Sequence, residues 1–209
     1  MSRDDHTRSR RPLCRVAAIV LVALVAAPAT ASATPVKDNH CVVPSGDDLN
    51  RLFSVSEQII TGTSPSCTEA GSGERWRPSV MPWFMNHTFA VVPPGYVPAG
   101  ATPLEDFVAK FAGVRYVVDR DTIRERTYVL TNVGDLWRGT DFGFPLVNPL
   151  TLAALAPLPV GSHEVETYWR FSAMHCDGFG DDTGPGGNCF PAGETQLPTM
   201  TFEVTPDRY

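Results

Sequence analysis

Two stretches near the C-terminal end constrain this chain's fold more than anything else in it. From Val165 to Ala173 the residues alternate. Val165, Thr167, Trp169, Phe171 and Ala173 fall on one side, and Glu166, Tyr168, Arg170 and Ser172 on the other. A period of two with one apolar face marks a strand half-buried against a core. It predicts that Trp169 and Phe171 point inward and that Glu166 and Arg170 point outward. A second run sets Met200, Phe202 and Val204 against Thr201, Glu203 and Thr205. Cys176 ends the first run, and Cys189 closes a Gly/Asp/Asn-rich loop before the second. The expectation is one long hairpin, stapled at the base of its loop.

Residues 1–33 are expected to be a signal peptide. Arg3, Arg8, Arg10, Arg11 and Arg15 precede an apolar run, Val16 to Ala27, which is shorter than the ~20 residues of a membrane span. Ala31-Ser32-Ala33 is a small-residue cleavage site. The expected product, residues 34–209, is a single secreted domain with a loop-rich N-terminal part. It holds no apolar run long enough to span a membrane. Five arginines against Asp4 and Asp5 leave with the leader, so the formal charge of −6 becomes −9. That sign excludes a nucleic-acid backbone as partner, since phosphates need a basic face. An envelope or extracellular partner of unstated identity fits better. Lys37 and Lys110 are the only lysines beside many arginines, a bias that points to a GC-rich bacterial genome.

Four cysteines follow the leader: Cys41, Cys67, Cys176 and Cys189. An even number in an exported chain reads as disulfides. Of three connectivities, Cys41–Cys67 with Cys176–Cys189 is favoured, because each pair brackets a nearby loop. No C-x-x-C spacing occurs, which argues against a zinc site.

Along the chain, Ser45 with Asp48 resembles a capping box before a short helical turn at Leu49, Leu52 and Phe53. Val55 to Thr61 could form a strand. Gly62 to Gly73 reads as a loop, and Arg75 to Val92 as one or two strands interrupted at Pro78 and Pro82. The best helix spans about 103–112. Thr102 is its N-cap, Pro103 opens it, Glu105 completes a capping box, and Leu104, Phe107, Val108 and Phe111 form its apolar face. Gly113 should stop it. Val114 to Asp119 and Ile123 to Thr131 then form a hairpin. Asn132 to Pro149 reads as a loop held down by Trp137, Phe142 and Phe144, where Trp137 could line a groove. Short strands, regular turns and one helix give an all-β fold, an antiparallel β-sandwich. Leu158-Pro159-Val160-Gly161-Ser162-His163-Glu164-Val165 resembles the entry to the sixth strand of immunoglobulin-like and fibronectin-type sandwiches. There a tyrosine often bonds the corner backbone, and His163 holds that position. The resemblance, over about residues 150–205, implies an immunoglobulin-like sandwich.

Hydrolase signatures are absent from the sequence. There is no G-x-S-x-G and no S-x-x-K. His163-Glu164 begins like H-E-x-x-H, but Thr167 takes the second histidine's place in a strand-like run. Trp169-Arg170, Ser172-Ala173, His175 and Asp177-Gly178 resemble a stretch of the copper-resistance C family of periplasmic copper carriers. In that family the tryptophan motif is followed by Asp-Gly-His, whose Asp and His help bind Cu(II). Here His175 and Asp177 stand in the reverse order, around Cys176. The family also uses an N-terminal histidine, where this chain has Thr34 and, nearest, His40. Met81, Met85 and His87 form a second soft-ligand cluster for copper. The alternative is that Met81 and Met85 fill a core beside Trp83 and Phe84. Asp177, Asp181 and Asn188 could offer calcium hard oxygens on the stapled loop, or serve only as turn residues. Asn86-His87-Thr88 matches a glycosylation sequon. No cofactor beyond these two candidate ions, Ca and Cu, is expected. The sequence favours a secreted or cell-envelope, non-enzymatic binding or accessory domain. A copper carrier is the alternative, and a secreted hydrolase of unrecognised type is the next.

Overall fold

The alternating run from residue 165 lies inside the largest sheet among the described residues. A computed structural model describes residues 41–62, 65–80, 82–132, 134, 136–141, 143–183 and 186–206. These belong to one compact unit, Lys37–Tyr209. Residues 1–40, with the expected leader and His40, lie outside the described residues, as do Met81 and Phe142.

The elements in chain order begin with α1 (Leu49–Phe53), β1 (Gln58–Ile60), β2 (Glu69–Gly71), β3 (Trp76–Pro78) and β4 (Trp83–Phe84). Next come α2 (Pro103–Lys110), β5 (Phe111–Val118), β6 (Arg126–Leu130), β7 (Trp137–Asp141) and β8 (Phe144–Asn148). The chain continues with β9 (Gly161–Phe171), β10 (His175–Cys176), β11 (Cys189–Phe190), β12 (Gly193–Gln196) and β13 (Met200–Thr205). The six-stranded sheet runs β2-β13-β9-β5-β6, with β12 also on β9. A three-stranded sheet, β4-β8-β7, and the pair β1-β3 face it across the core. Trp83 meets Trp169 edge-on at 6.2 Å, and Trp76 meets Phe202 at 4.9 Å. The fold is all-β, as the sequence implies, although β1–β3 and β2–β13 pair in parallel.

The register of β9 follows the alternation. His163, Val165, Thr167, Trp169 and Phe171 are buried, and the residues between them are not. The strand starts at Gly161 and stops at Phe171, so Ala173 is exposed rather than inward. On the outer face the Arg115 guanidinium lies 3.9 Å from the Tyr168 ring centroid. Arg115 and Arg170 share Glu194, and Arg120 pairs with Glu166. This is a solvated charged face.

The expected single hairpin is not continuous. Cys176 does not end β9; it belongs to β10, which pairs with β11. The partner of β9 is divided: β12 covers Tyr168 to Phe171, and β13 covers Gly161 to Val165. Leu197, Pro198 and Thr199 oppose only Glu166 and Thr167 in between. One extra residue makes a bulge, and Pro198 has no N–H with which to continue the ladder.

Helix α2 carries the expected capping box, but it ends at Lys110. Phe111 is already the first residue of β5, and Gly113 sits at a register shift inside that strand with φ +125°. A Cβ at Gly113 would lie 2.1 Å from the Leu130 carbonyl oxygen, so only glycine fits the bulge. The N-terminal turn is a second helix, capped by Asp48 and not by Ser45. Ser45 bonds Asp47 instead. Residues 132–149 are not a loop: they contain the β7–β8 hairpin. Its Trp137 packs on Phe53 at 4.9 Å, in a small second core beside Cys41–Cys67.

Candidate functional site

An open, largely apolar groove of about 950 Å3 lies where the two sheets meet the stapled loop. Trp83 and Phe84 of β4 line it, with Trp169 of β9. The bulge between β12 and β13 contributes Leu197 and Pro198, and the Cys176–Cys189 loop contributes Asp177, Phe179 and Asn188. Both disulfides join the expected partners, Cys41–Cys67 and Cys176–Cys189. The second holds the loop's ends, where the Asp177 N–H donates to the Asn188 carbonyl at 2.9 Å. Gly178 fixes its approach to the neighbouring segment. Its φ is +86°, and a Cβ there would stand 2.3 Å from the Thr88 carbonyl oxygen.

Asp177 is the one charged residue among the described lining residues. It is 5 % exposed. Its Oδ1 accepts from the Phe179 N–H at 2.8 Å, and Oδ2 has no partner among the described residues. Burial pushes its carboxyl up to about 6, against the Phe179 hydrogen bond and with help from the charge of Asp182. Unlike Oδ2, the indole N–H groups of Trp83 and Trp169 are fully buried without a partner among the described residues.

A second polar cluster sits under α2. Asp106 is fully buried and accepts from four donors: Tyr96 Oη at 2.5 Å, Ala99 N at 2.6 Å, Lys110 Nζ at 2.7 Å and His175 Nδ1 at 2.8 Å. Lys110 Nζ also donates to the carbonyls of Val97 and Met174, at 2.8 and 2.6 Å. Burial alone would raise the Asp106 carboxyl. The donors, His175 first, outweigh it and hold the group at about 2. Burial holds His175 below its ordinary value despite Asp106, so the ring is neutral. Its Nε2 is buried without a partner among the described residues, and Phe107 and Phe171 flank the ring. An Asp–His pair of this kind resembles part of a catalytic triad, but a base must reach a nucleophile, and this Nε2 reaches none among the described residues. The buried face of α2 is therefore rotated from the expected one. Asp106 and Lys110 are buried with Phe107, and Leu104 and Val108 only partly. The i, i+4 spacing of Asp106 and Lys110 was the signal for the pair.

The described residues singled out as metal ligands take different surroundings. His175 is inside the α2 cluster, whereas Asp177 lines the groove. Asp181 is exposed, Met85 is fully buried in the core, and His87 is exposed with Nε2 2.8 Å from the Gly143 carbonyl. No group of three or more His, Cys, Asp or Glu among the described residues is placed to hold a metal ion. The groove itself escaped the sequence because its walls come from five separated segments. Pro198, between two alternating runs, was the visible sign of its edge. Compared with known protein families, curated proteins and solved structures, the chain matches none.

Proposed function

We propose that this is a secreted, non-enzymatic binding domain whose site is the groove beside the Cys176–Cys189 loop. The observation that carries it is the groove itself. Ligand sites are concave, mainly apolar, and about 300–1,000 Å3, and this one has aromatic walls with a single charge. Its loop is clamped to a sheet, the usual arrangement for binding residues. Two disulfides fit an oxidising compartment, and no helix among the described residues is long and apolar enough to cross a membrane. The immunoglobulin-like reading has local support at the corner. His163 Nε2 lies 2.7 Å from the Pro159 carbonyl, and Nδ1 lies 2.7 Å from Asp119. The imidazole thus ties down the corner backbone where such sandwiches use tyrosine.

The test is titration with N-phenyl-1-naphthylamine, a neutral dye that fluoresces in apolar surroundings. Saturable binding is expected, and Leu197→Asp should weaken it at least ~10-fold by charging an apolar wall. A folded wild type that leaves the dye dark would exclude the groove as a binding site.

A further inference from the structure

We propose that the groove selects an organic cation: an ammonium group carried on an aryl or alkyl body, with Asp177 as its counter-charge. This rests on the groove being the binding site and adds the charge class of its ligand.

The argument begins with what the turn requires. Asp177 Oδ1 accepts the Phe179 N–H at 2.8 Å. An asparagine could make that turn equally well. The negative charge and the second oxygen are surplus to it, and the chain supplies nothing to meet them. Oδ2 has no partner among the described residues and keeps some exposure toward the groove, the residue as a whole is only 5 % exposed, and no Lys or Arg occurs among the described lining residues. An unpaired charge largely removed from water is costly. With its carboxyl pushed to about 6, Asp177 is ionised at neutral pH all the same. Asp182 deepens the negative potential rather than relieving it.

A bound ammonium would supply the missing hydrogen bond and the missing charge together. The walls suit the rest of such a ligand. Trp83, Phe84, Trp169 and Phe179 line the groove, and aromatic rings attract cations by their faces and apolar bodies by their area. A divalent metal is the poorer match. Calcium takes six to eight oxygens, and no cluster of three acidic or metal-binding side chains exists among the described residues.

The experiment is displacement of N-phenyl-1-naphthylamine near neutral pH by three compounds with one body: 4-phenylbutylamine, 4-phenylbutan-1-ol and 4-phenylbutyrate. In wild type the amine should displace the dye at ~10-fold lower concentration than the alcohol, with the acid weakest. Asp177→Asn should collapse the amine-to-alcohol ratio to about 2 or less. An amine no better than the alcohol in wild type, or a preference that survives Asp177→Asn, overturns the inference. Dye and alcohol binding would then still uphold the groove. Failure of the dye to bind wild type removes both. Should the variant not fold, the wild-type ratio at falling pH decides. The amine should lose its advantage over the alcohol once Asp177 is protonated well below pH 6, and an unchanged ratio overturns the pairing.

Discussion

Asp106 and Asp177 are both carboxylates largely taken out of water, and their carboxyls shift in opposite directions. Asp106 collects four donors from α2, its preceding turn and β10, and its carboxyl falls to about 2. Asp177 has one backbone donor, and its carboxyl rises to about 6. Burial pushes both upward; the number of donors decides which way each goes. A carboxylate saturated by its own chain holds structure together. One left short of partners at the wall of a groove lowers stability and is available to something else.

The contrast is broken most severely at Asp106. Asp106→Asn leaves the buried Lys110 without its counter-ion and should cost about 3–5 kcal/mol. In a domain of this size that is a Tm drop of roughly 10 °C, readable by thermal denaturation. A loss under about 1 kcal/mol would mean the cluster is not the structural anchor described. Next is the staple. Cys176→Ser with Cys189→Ser should cost about 3 kcal/mol by the chain-entropy argument. Because the loop is a wall of the groove, it should also weaken dye binding. Unchanged dye affinity in the folded double variant would detach the loop from the site.

Asp177→Asn should act in the other direction, raising stability by about 1–2 kcal/mol near neutral pH. A carboxyl raised in the folded state favours folding fully below its unfolded value of about 4 and loses that contribution as pH rises through about 6. The gain from Asp177→Asn should therefore be present above pH 6 and absent near pH 4, as urea denaturation across that range would show. Asp106 has the opposite sign. Its contribution is present above about pH 4 and lost as pH falls toward 2. A stability gain for Asp177→Asn at pH 4 equal to that at pH 7 would refute the titration argument. The smallest effect belongs to the exposed face. Glu194, between Arg115 and Arg170, is a solvated carboxylate, and Glu194→Gln should change stability by less than about 1 kcal/mol.

Much of the fold was legible because it is local. The alternation in β9 sets which side chains are buried, since a one-residue slip would turn Arg170 inward in place of Trp169. Thr102, Pro103 and Glu105 start α2 with bonds made within its own first turn. Each disulfide closes a short loop, so nearness in sequence was a fair guide. The limits were local too. The apolar stripe of α2 continued through Phe111, but that residue is claimed by pairing with Phe171 of β9. The turn residues of 132–149 concealed a hairpin whose partner, β4, lies some sixty positions earlier.

Periodicity, caps and cysteine spacing in the sequence alone therefore determined strand, helix start and staple, because each depends on residues a few positions apart. Tertiary structure decided the rest. Asp106 meets His175 across 69 positions, and the groove joins β4, the stapled loop and the β12–β13 bulge. No period links those segments. Donor count and burial set the direction in which the Asp106 and Asp177 carboxyls shift, and both exist only once distant segments have packed together.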